Sequence, residues 1–361
     1  MYIFPASHIR PYCFAECVLY PFRGILVFSL LQFLRKDRCK HTDILFIEII
    51  DIRWLCRDRS FNLPYLHLRY LQRTIEYFAD SITFPLVIDK INDDYFYPIV
   101  SAEGLPALSA ESYLAADLNS GFVLLAKNPD MVWPIASLTK WMTAVVLTEQ
   151  IGFTRKIGVY QSMLDLGYSS TDCLDKCAEE GASLGVVELL YPLLIQSSND
   201  AAFVLSSFFG VSRTVQMMNE KAESILMPNT HFACPSGYDS ANVSTAKDFY
   251  YLARYIYNVR PALLEISKGK QFGSFPLTTC QVGELWNKNI FVNDDAFVGG
   301  KTGYIVSSGY NGVFIFNFTD SQGEERPIVI ILLGSKTLEQ RKRDVQRIYI
   351  WLKKTWGQVY T

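Results

Sequence analysis

A serine and a lysine three residues apart form a pair in this sequence that could do covalent chemistry. They are Ser137 and Lys140, in the stretch WPIASLTKWMTAVVLTEQ that spans residues 133–150. Residues three apart share one face of a helix, and a neutral amine within hydrogen-bond reach of a hydroxyl can accept its proton. A helix N-terminus would also favour a developing alkoxide or oxyanion. The pair therefore indicates a serine nucleophile with a lysine general base.

The surroundings of Lys140 bear on whether its amine can be neutral. It is the one charged residue between Trp133 and Thr148, in a predicted helix over 137–151 that is apolar almost all the way round. Such a helix is usually buried, and burial lowers a lysine pKa from its ordinary value of about 10.4. A second ammonium such as Lys301, if about 6 Å away, would add about 3 kcal/mol of repulsion, or about two pKa units. We therefore expect Lys140 to be buried so that it can be neutral.

Two further polar motifs follow along the chain. Ser197 and Asn199 form S-x-N between two helical apolar patterns in residues 185–210, and K-T-G occurs once, at residues 301–303. Each motif has an ordinary alternative by itself. The serine of S-x-x-K could cap a helix while its lysine reaches solvent, S-x-N could be a polar loop, and K-T-G could be the edge of a hairpin.

The order of the three motifs distinguishes them from chance matches. S-x-x-K recurs at 244/247 and 267/270, and S-x-N recurs at 60/62 and 240/242. Only the ordered trio places each motif in its expected structural context. S-x-x-K, S-x-N and K-T-G in this order are the motif set of penicillin-binding proteins and class A β-lactamases.

The residues around the three motifs carry a more specific resemblance. The segments PIASLTKWMTA, LLYPLLIQSSNDAA, MPNTHFACPSGYDSANVSTAKD and GGKTGYIVSSGYN resemble the D-alanyl-D-alanine carboxypeptidase family of serine penicillin-binding proteins, over roughly residues 104–355. The resemblance implies an α+β, β-lactamase/transpeptidase-like fold, with an antiparallel β-sheet packed with a helical cluster. It implies the peptidoglycan stem peptide ending in D-Ala-D-Ala as substrate, β-lactam antibiotics as covalent inhibitors, and no metal or organic cofactor.

The resemblance also implies roles for four catalytic residues. Ser137 would be the acylated nucleophile and Lys140 its general base. Asn199 would hold Lys140 and a substrate amide, and Ser197 would help pass a proton to the leaving amine. A histidine base is poorly supported, because a Ser-His-Asp triad needs a histidine and His231 is the only one in this region, in the loop sequence PNTHF.

Five more residues would bind the substrate according to the same resemblance. Lys301 and Thr302 would line the strand edge against which the substrate lies, near its terminal carboxylate. Gly303 would let the substrate backbone approach, and the backbone N–H of Tyr304 would form the oxyanion hole with that of Ser137. Arg341, at the start of the last helix, would help to receive the carboxylate.

Three alternatives to the carboxypeptidase remain at this stage. A D-alanyl-D-alanine endopeptidase, which cuts peptidoglycan crosslinks, would use the same residues and differ in the shape of the pocket. A class A β-lactamase is disfavoured because E-x-x-L-N is missing between Ser197 and Lys301, so deacylation would lack its carboxylate. A non-catalytic wall-binding protein is disfavoured because all three motifs are intact.

Composition excludes some partners and ligands. The formal net charge of the 361 residues is −2, with no basic excess to neutralise phosphates, so nucleic acid is not an expected partner. The eight cysteines form no C-x-x-C pair and the four histidines are scattered, which argues against a zinc site. We expect the cysteines to be free thiols for the most part.

The motifs define a domain over residues 99–361, after a Pro/Gly-bearing connection at 92–108. Strands predicted at both ends, with helices between them, indicate an antiparallel sheet covered by helices. Residues 1–98 carry no recognisable motif, and a membrane-associated element, a small domain and a poorly ordered segment are all open. Within them, 24–34 (GILVFSLLQFL) is too short to span a bilayer, which needs about 20 residues.

The expectation for 24–34 is a buried helix or an interfacial segment, with a weak or unusual export signal as the alternative. The family implies a periplasmic or other extracytoplasmic location in the cell envelope, although the sequence has no clear signal peptide.

Overall fold

The chain of the computed structural model divides into two compact units, Met1–Leu86 and Val87–Thr361. In the first unit, the structure describes the backbone of three strands. In the second unit it describes residues 107–167, 174, 181–269, 287–319 and 323–359, with side chains as far as 354. The domain boundary predicted near residue 98 lies outside the described residues and stays a prediction.

The described strands of the first unit form one antiparallel sheet. They are β1 (Ala15–Phe22), β2 (Ile25–Gln32) and β3 (Ile47–Asp51), in the order β1-β2-β3. The helix expected for residues 24–34 is therefore wrong, because β2 pairs with a strand on each side. A short apolar run suits a helix or a strand equally, and the partners decide between them. Across the described parts of the chain, no helix is both long enough and apolar enough to cross a membrane.

The second unit is built on a five-stranded antiparallel sheet. Its strands lie in the order β10 (Phe297–Ile305), β11 (Gly309–Thr319), β12 (Glu325–Ser335), β4 (Ser112–Asp117) and β5 (Val123–Lys127). The hairpin predicted over 112–127 is confirmed as two neighbouring strands of this sheet. The other described strands of the unit are β6 (Trp133–Pro134), β7 (Lys156–Gly158), β8 (Ser183–Gly185) and β9 (Val243–Ser244).

Helices cover both faces of this sheet. The described helices are α1 (Thr139–Ile151), α2 (Gln161–Leu164), α3 (Val186–Tyr191), α4 (Asn199–Ser206), α5 (Val211–Ser224), α6 (Ala246–Val259), α7 (Pro261–Lys268) and α8 (Leu338–Val359). The amphipathic helices predicted from TVQMMNEKAESILM, TAKDFYYLARYIYN and the C-terminal segment are confirmed as α5, α6 and α8.

The central strand β12 shows how the layers are arranged. Its side chains alternate between two buried clusters, because successive residues of a strand point to opposite faces. Val329, Ile331 and Leu333 pack in the core that contains Trp141 of α1. Ile328, Ile330 and Leu332 pack in the core that contains residues of α8. Both faces are covered, which is why this stretch of the sequence is apolar without interruption.

The α1 helix runs through the first of these cores and begins beside the site. All ten of its residues from Thr139 to Thr148 are buried, as its apolar sequence predicted. The helix begins two residues later than predicted, because Ala136–Leu138 form a 3₁₀ turn in which Leu138 N donates to Ile135 O. Ser137 therefore lies in a tight turn before the helix and not in its first α-helical turn.

Candidate active site

The side chain of Lys140 connects three segments of the chain. It has no exposed surface, and its Nζ lies 2.9 Å from Ser137 Oγ, 2.8 Å from Asn199 Oδ1 and 2.6 Å from the carbonyl oxygen of Ser236. The first contact lies within the S-x-x-K motif, and the second joins this motif to S-x-N. The third comes from a segment between α5 and α6.

These three partners of Lys140 differ in whether they can donate a hydrogen bond. Ser236 O can only accept, and Asn199 presents its oxygen because its Nδ2 donates to Gly167 O at 3.0 Å. A neutral amine has two N–H groups and one lone pair. With both N–H groups donated to these acceptors, the lone pair is directed at the remaining partner, Ser137, whose hydroxyl can donate. The arrangement suits an amine that takes a proton from Ser137.

The S-x-N segment has an unusual backbone. After α3, the chain forms a π-helical turn over Pro192–Gln196, and Ser197 follows with φ 65° and ψ 37°. Left-handed backbone is uncommon for residues other than glycine, and such strain is typical of functional sites. The turn separates α3 from α4, and Asn199 is the first residue of α4.

The K-T-G motif lies in the second half of β10, the edge strand of the sheet, rather than at its start. Lys301 is 1% exposed, and its Nζ donates to Ser197 Oγ at 2.8 Å and to Thr302 O at 2.8 Å. Gly303 touches the nucleophile turn: a Cβ there would lie 2.9 Å from Ile135 O and 3.1 Å from Ser137 N. Gly303 therefore lets β10 itself approach Ser137.

The electrostatics of the site disfavour a second positive charge. Burial lowers the pKa of Lys301 well below its ordinary value. Repulsion from Lys140, when that amine is protonated, and from Lys288 and Arg341 lowers it further. Burial also lowers the pKa of Arg341 to about 10. The sequence predicted that repulsion between Lys301 and Lys140 would lower the pKa of Lys140; the lowered pKa in the structure is that of Lys301.

The lowered pKa of Lys301 predicts a dependence of stability on pH. Because this pKa is lower in the folded chain than in the unfolded chain, the unfolded chain binds more protons between the two values, and stability rises with pH there. As the pH rises toward the ordinary lysine pKa of about 10.4, wild type should gain up to about 1.4 kcal/mol per pH unit in unfolding free energy relative to Lys301→Met. Denaturant unfolding at several pH values measures this difference.

Lys268→Met is the matched control for this measurement. Lys268 is a partly buried lysine outside the candidate site, and it donates to Phe297 O at 2.6 Å. We expect its pH dependence to follow that of wild type. Parallel pH curves for wild type and Lys301→Met would contradict the prediction.

The remaining predicted residues lie beside this group. Thr302 is 8% exposed, and Tyr304 is 50% exposed, with its ring stacked on Tyr310 at 4.3 Å. Arg341 lies in α8, near its start, and is 5% exposed. Its guanidinium donates to Asn311 O at 3.0 Å and lies 6.0 Å from the Tyr310 ring centroid. Arg341 thus packs against β11, next to the strand that carries K-T-G.

The structure places five predicted residues in two hydrogen-bonded sets: Lys140 with Ser137 and Asn199, and Lys301 with Ser197. The two sets are close enough for Lys140 to act electrostatically on Lys301. Gly303 contacts the turn of Ser137, and Thr302, Tyr304 and Arg341 lie along β10 and β11 as described above. Sequence reasoning missed Ser236, which contributes through its backbone carbonyl and so leaves no side-chain signal. It also missed Gly237, whose φ of 78° places it against the Ala136 carbonyl.

In the described part of the chain, no cluster of three or more His, Cys, Asp or Glu side chains could hold a metal ion. Cys234 is a free thiol, and the side chains of the other seven cysteines lie outside the described residues. His231 takes part in a β-bridge with Val243 and in none of the contacts of the site.

Three features define the class of this protein: a sheet with a helical cluster on one face, a serine–lysine pair at its edge strand, and K-T-G on that strand. Proteins of this class have the transpeptidase-like fold of penicillin-binding proteins. Penicillin-binding protein D2 of Listeria monocytogenes, solved with cefotaxime bound, superposes with a TM-score of 0.58, at 24% identity over 68% of this chain and 98% of that chain. The predicted α+β fold is confirmed.

Comparison of the sequence then identifies the family. The model of the D-alanyl-D-alanine carboxypeptidase family matches residues 99–336, and the chain belongs to this family. The D-alanyl-D-alanine carboxypeptidase DacA of Haemophilus influenzae is 28% identical over 70% of this chain and 65% of its own length. The D-alanyl-D-alanine endopeptidase of the same organism is 35% identical over 57% of this chain and 70% of its own length. The predicted family is confirmed.

Proposed function

We propose that this chain removes the terminal D-Ala from peptidoglycan stem peptides through an acyl-enzyme on Ser137. The observation that carries the proposal is the environment of Lys140. Its amine is buried, lies 2.9 Å from Ser137 Oγ, and has two obligate acceptors for its other hydrogen bonds. A solvated ammonium on a helix surface would lack these features.

Acylation would begin with attack of Ser137 Oγ on the carbonyl carbon between the two D-alanines. The Oγ–C bond forms as the hydroxyl proton passes to Lys140, which acts as general base. The negative charge moves to the carbonyl oxygen, where the backbone N–H groups of Ser137 and Tyr304 would stabilise it. The contact between Gly303 and Ser137 N supports this oxyanion hole, because it brings the two backbone segments together.

The tetrahedral intermediate would then break its C–N bond and release D-Ala. The leaving nitrogen must gain a proton, and Ser197 can pass one because its Oγ accepts a hydrogen bond from Lys301. Lys140 would pass the proton that it took from Ser137 on to Ser197, so that the net transfer is one proton from Ser137 to the leaving amine. Water would finally attack the acyl carbon, with Lys140 again as base, and free Ser137. These steps use side chains of this chain alone.

Substrate binding would depend on the edge strand β10. A peptide lying antiparallel to β10 would place its terminal carboxylate near Thr302 and Lys301, with Arg341 adding positive charge from behind β11. Arg341, whose pKa of about 10 keeps it charged at neutral pH, favours an anion there. Asn199 would contact a substrate amide as well as Lys140.

β-Lactams would acylate Ser137 because they present a carbonyl beside a carboxylate. A relative by fold, the Listeria protein above, was solved with cefotaxime bound. The family acts on the cell wall, so we place the protein in the cell envelope. We propose that residues 99–361 form the catalytic domain, and that the N-terminal unit has a separate role, for which membrane association stays a hypothesis.

Fluorescent penicillin followed by mass spectrometry tests the nucleophile. We expect the wild type to be labelled on Ser137, and Ser137→Ala to lose labelling completely, because Ser137 Oγ is the hydroxyl that lies 2.9 Å from Lys140 Nζ. Ser244→Ala is the matched control. Ser244 is also the serine of an S-x-x-K, but its Oγ contacts Thr230 Oγ1 at 2.7 Å, and labelling should persist.

The labelling result also separates the enzyme from other classes. Absence of labelling in folded wild type would favour a non-catalytic wall-binding protein. Rapid release of the label would favour a β-lactamase. Both results would contradict the proposal.

The second candidate is a D-alanyl-D-alanine endopeptidase, which the 35% identical relative favours. Both activities would use the same catalytic side chains. Purified protein incubated with monomeric pentapeptide and with crosslinked dimeric muropeptides distinguishes them. Release of D-Ala from the monomer supports the carboxypeptidase, whereas cleavage of dimers without that release would identify the endopeptidase.

A further inference from the structure

Asn242 lies behind the proposed site and has no exposed surface. Its side-chain amide makes four hydrogen bonds. Oδ1 accepts from the backbone N–H groups of Ala233 at 2.9 Å and Cys234 at 3.0 Å. Nδ2 donates to Cys234 O at 2.8 Å and to Thr139 Oγ1 at 2.9 Å. The amide is thus fully satisfied, and the two N–H donors define which atom is the oxygen.

The contact with Thr139 continues to the nucleophile turn. Thr139 Oγ1 donates to Ala136 O at 2.8 Å, so Asn242, Thr139 and Ala136 form a chain of hydrogen bonds. Ala136 has φ 50°, a strained conformation that its surroundings must hold. Asn242 also supports this segment through its backbone, since its carbonyl accepts from Ile135 N at 3.0 Å. Ser137 follows directly.

The contacts with Ala233 and Cys234 act on the opposite side of the site. They hold the segment 233–237, in which the carbonyl of Ser236 accepts from Lys140 at 2.6 Å. The same segment is held to α1 by Thr143 Oγ1, which donates to Pro235 O at 2.6 Å. Asn242 therefore bonds both to the turn that carries the nucleophile and to the segment that orients its base.

We propose that Asn242 is a positioning residue for the reaction: it fixes the Ser236 carbonyl and the Ser137 turn relative to each other, so that Lys140 presents its free electron pair to Ser137. The proposal rests on the function proposed above. Asn242 contacts neither Ser137 nor Lys140 in the hydrogen bonds described, and it acts through Thr139 and the 233–237 segment.

Asn242→Asp tests this proposal, because it keeps the shape of the side chain and removes both N–H donors. The second-order rate of acylation by a fluorescent penicillin should fall by about 100-fold, the scale expected for a displacement of reacting groups by about 1 Å. The acidic limb of the pH–rate profile should move to higher pH, because a loosened segment admits water that stabilises a charged amine. Lys301 faces the same amine and is unchanged in the variant.

Asn219→Asp is the matched control. Asn219 also binds this part of the chain through its amide, to Phe232 N at 2.9 Å and Phe232 O at 2.9 Å, but has no bond to the nucleophile turn. It should lower the melting temperature and leave the pH profile of acylation unchanged. If Asn242→Asp fails to fold, Thr139→Val breaks the same chain at its next link, and Thr139→Ser should recover the rate that Thr139→Val loses.

The outcomes separate this inference from the proposed function. If the wild type is not acylated, the proposed function fails. If the wild type is acylated and Asn242→Asp or Thr139→Val reacts at the wild-type rate with the wild-type pH profile, the function stands and the positioning role of Asn242 is refuted. A lowered melting temperature with an unchanged pH profile would show that Asn242 is merely structural.

Discussion

Replacing Lys140 by methionine is expected to slow acylation of Ser137 by about 10³- to 10⁴-fold, the upper part of the range for loss of a general base. Methionine fills a similar volume but cannot accept a proton. The Nζ it removes is the atom that lies 2.9 Å from Ser137 Oγ in a fully buried position. Stopped-flow acylation by a fluorescent penicillin measures the effect, with thermal unfolding to show that the variant is folded.

Lys221→Met is the control for this substitution. Lys221 is another largely buried lysine, and its Nζ lies 2.6 Å from Glu149 Oε2. Removing it breaks an ion pair outside the site, so stability should fall while the acylation rate stays at the wild-type value. An acylation rate for Lys140→Met within a few-fold of wild type would exclude lysine as the base, together with the mechanism proposed above.

Gly303→Ala is expected to slow acylation by about 10- to 100-fold without removing any chemical group. The added Cβ would lie 2.9 Å from Ile135 O, 3.1 Å from Ser137 N and 3.2 Å from Leu138 N. These atoms belong to the backbone, so the crowding is relieved only if β10 and the nucleophile turn move apart. That movement would widen the proposed oxyanion hole. The same stopped-flow measurement reports the rate.

Gly299→Ala provides a comparable crowding on the same strand. Its Cβ would lie 2.8 Å from Ser267 Oγ and 2.9 Å from Leu264 Cβ, both on α7 and away from Ser137. We expect a lower melting temperature with little change in acylation. Equal losses of rate in the two variants would indicate a general disturbance of β10, and would remove the special role given to the contact at Gly303.

The sequence predicted the site to the extent that side-chain types and their order carry the information. Five residues were predicted from three short motifs, and they form two neighbouring hydrogen-bonded sets: Lys140 with Ser137 and Asn199, and Lys301 with Ser197. The burial of Lys140 was also predictable, because a helix that is apolar on every side must lie within a core. The strands and amphipathic helices of the second unit followed from hydrophobic periodicity in the same way.

Two elements were predicted incorrectly because their sequences suit more than one structure. The apolar segment 24–34 forms the strand Ile25–Gln32, since pairing on both sides decided against the helix. The helix after Ser137 begins at Thr139, because a 3₁₀ turn precedes it. Local sequence propensity does not decide the secondary structure of a segment whose partners come from elsewhere in the chain.

What the sequence by itself determined is therefore the set of reacting side chains and the apolar patterns that bury them. The tertiary structure alone decided how these groups are held: the carbonyl of Ser236 on Lys140, the left-handed backbone at Ala136 and Ser197, and the amide of Asn242 between two segments. The physical reason is that backbone groups are the same in every residue. A carbonyl acquires a specific role only when folding brings it to a particular amine. The pattern of side chains along the sequence therefore does not predict that role.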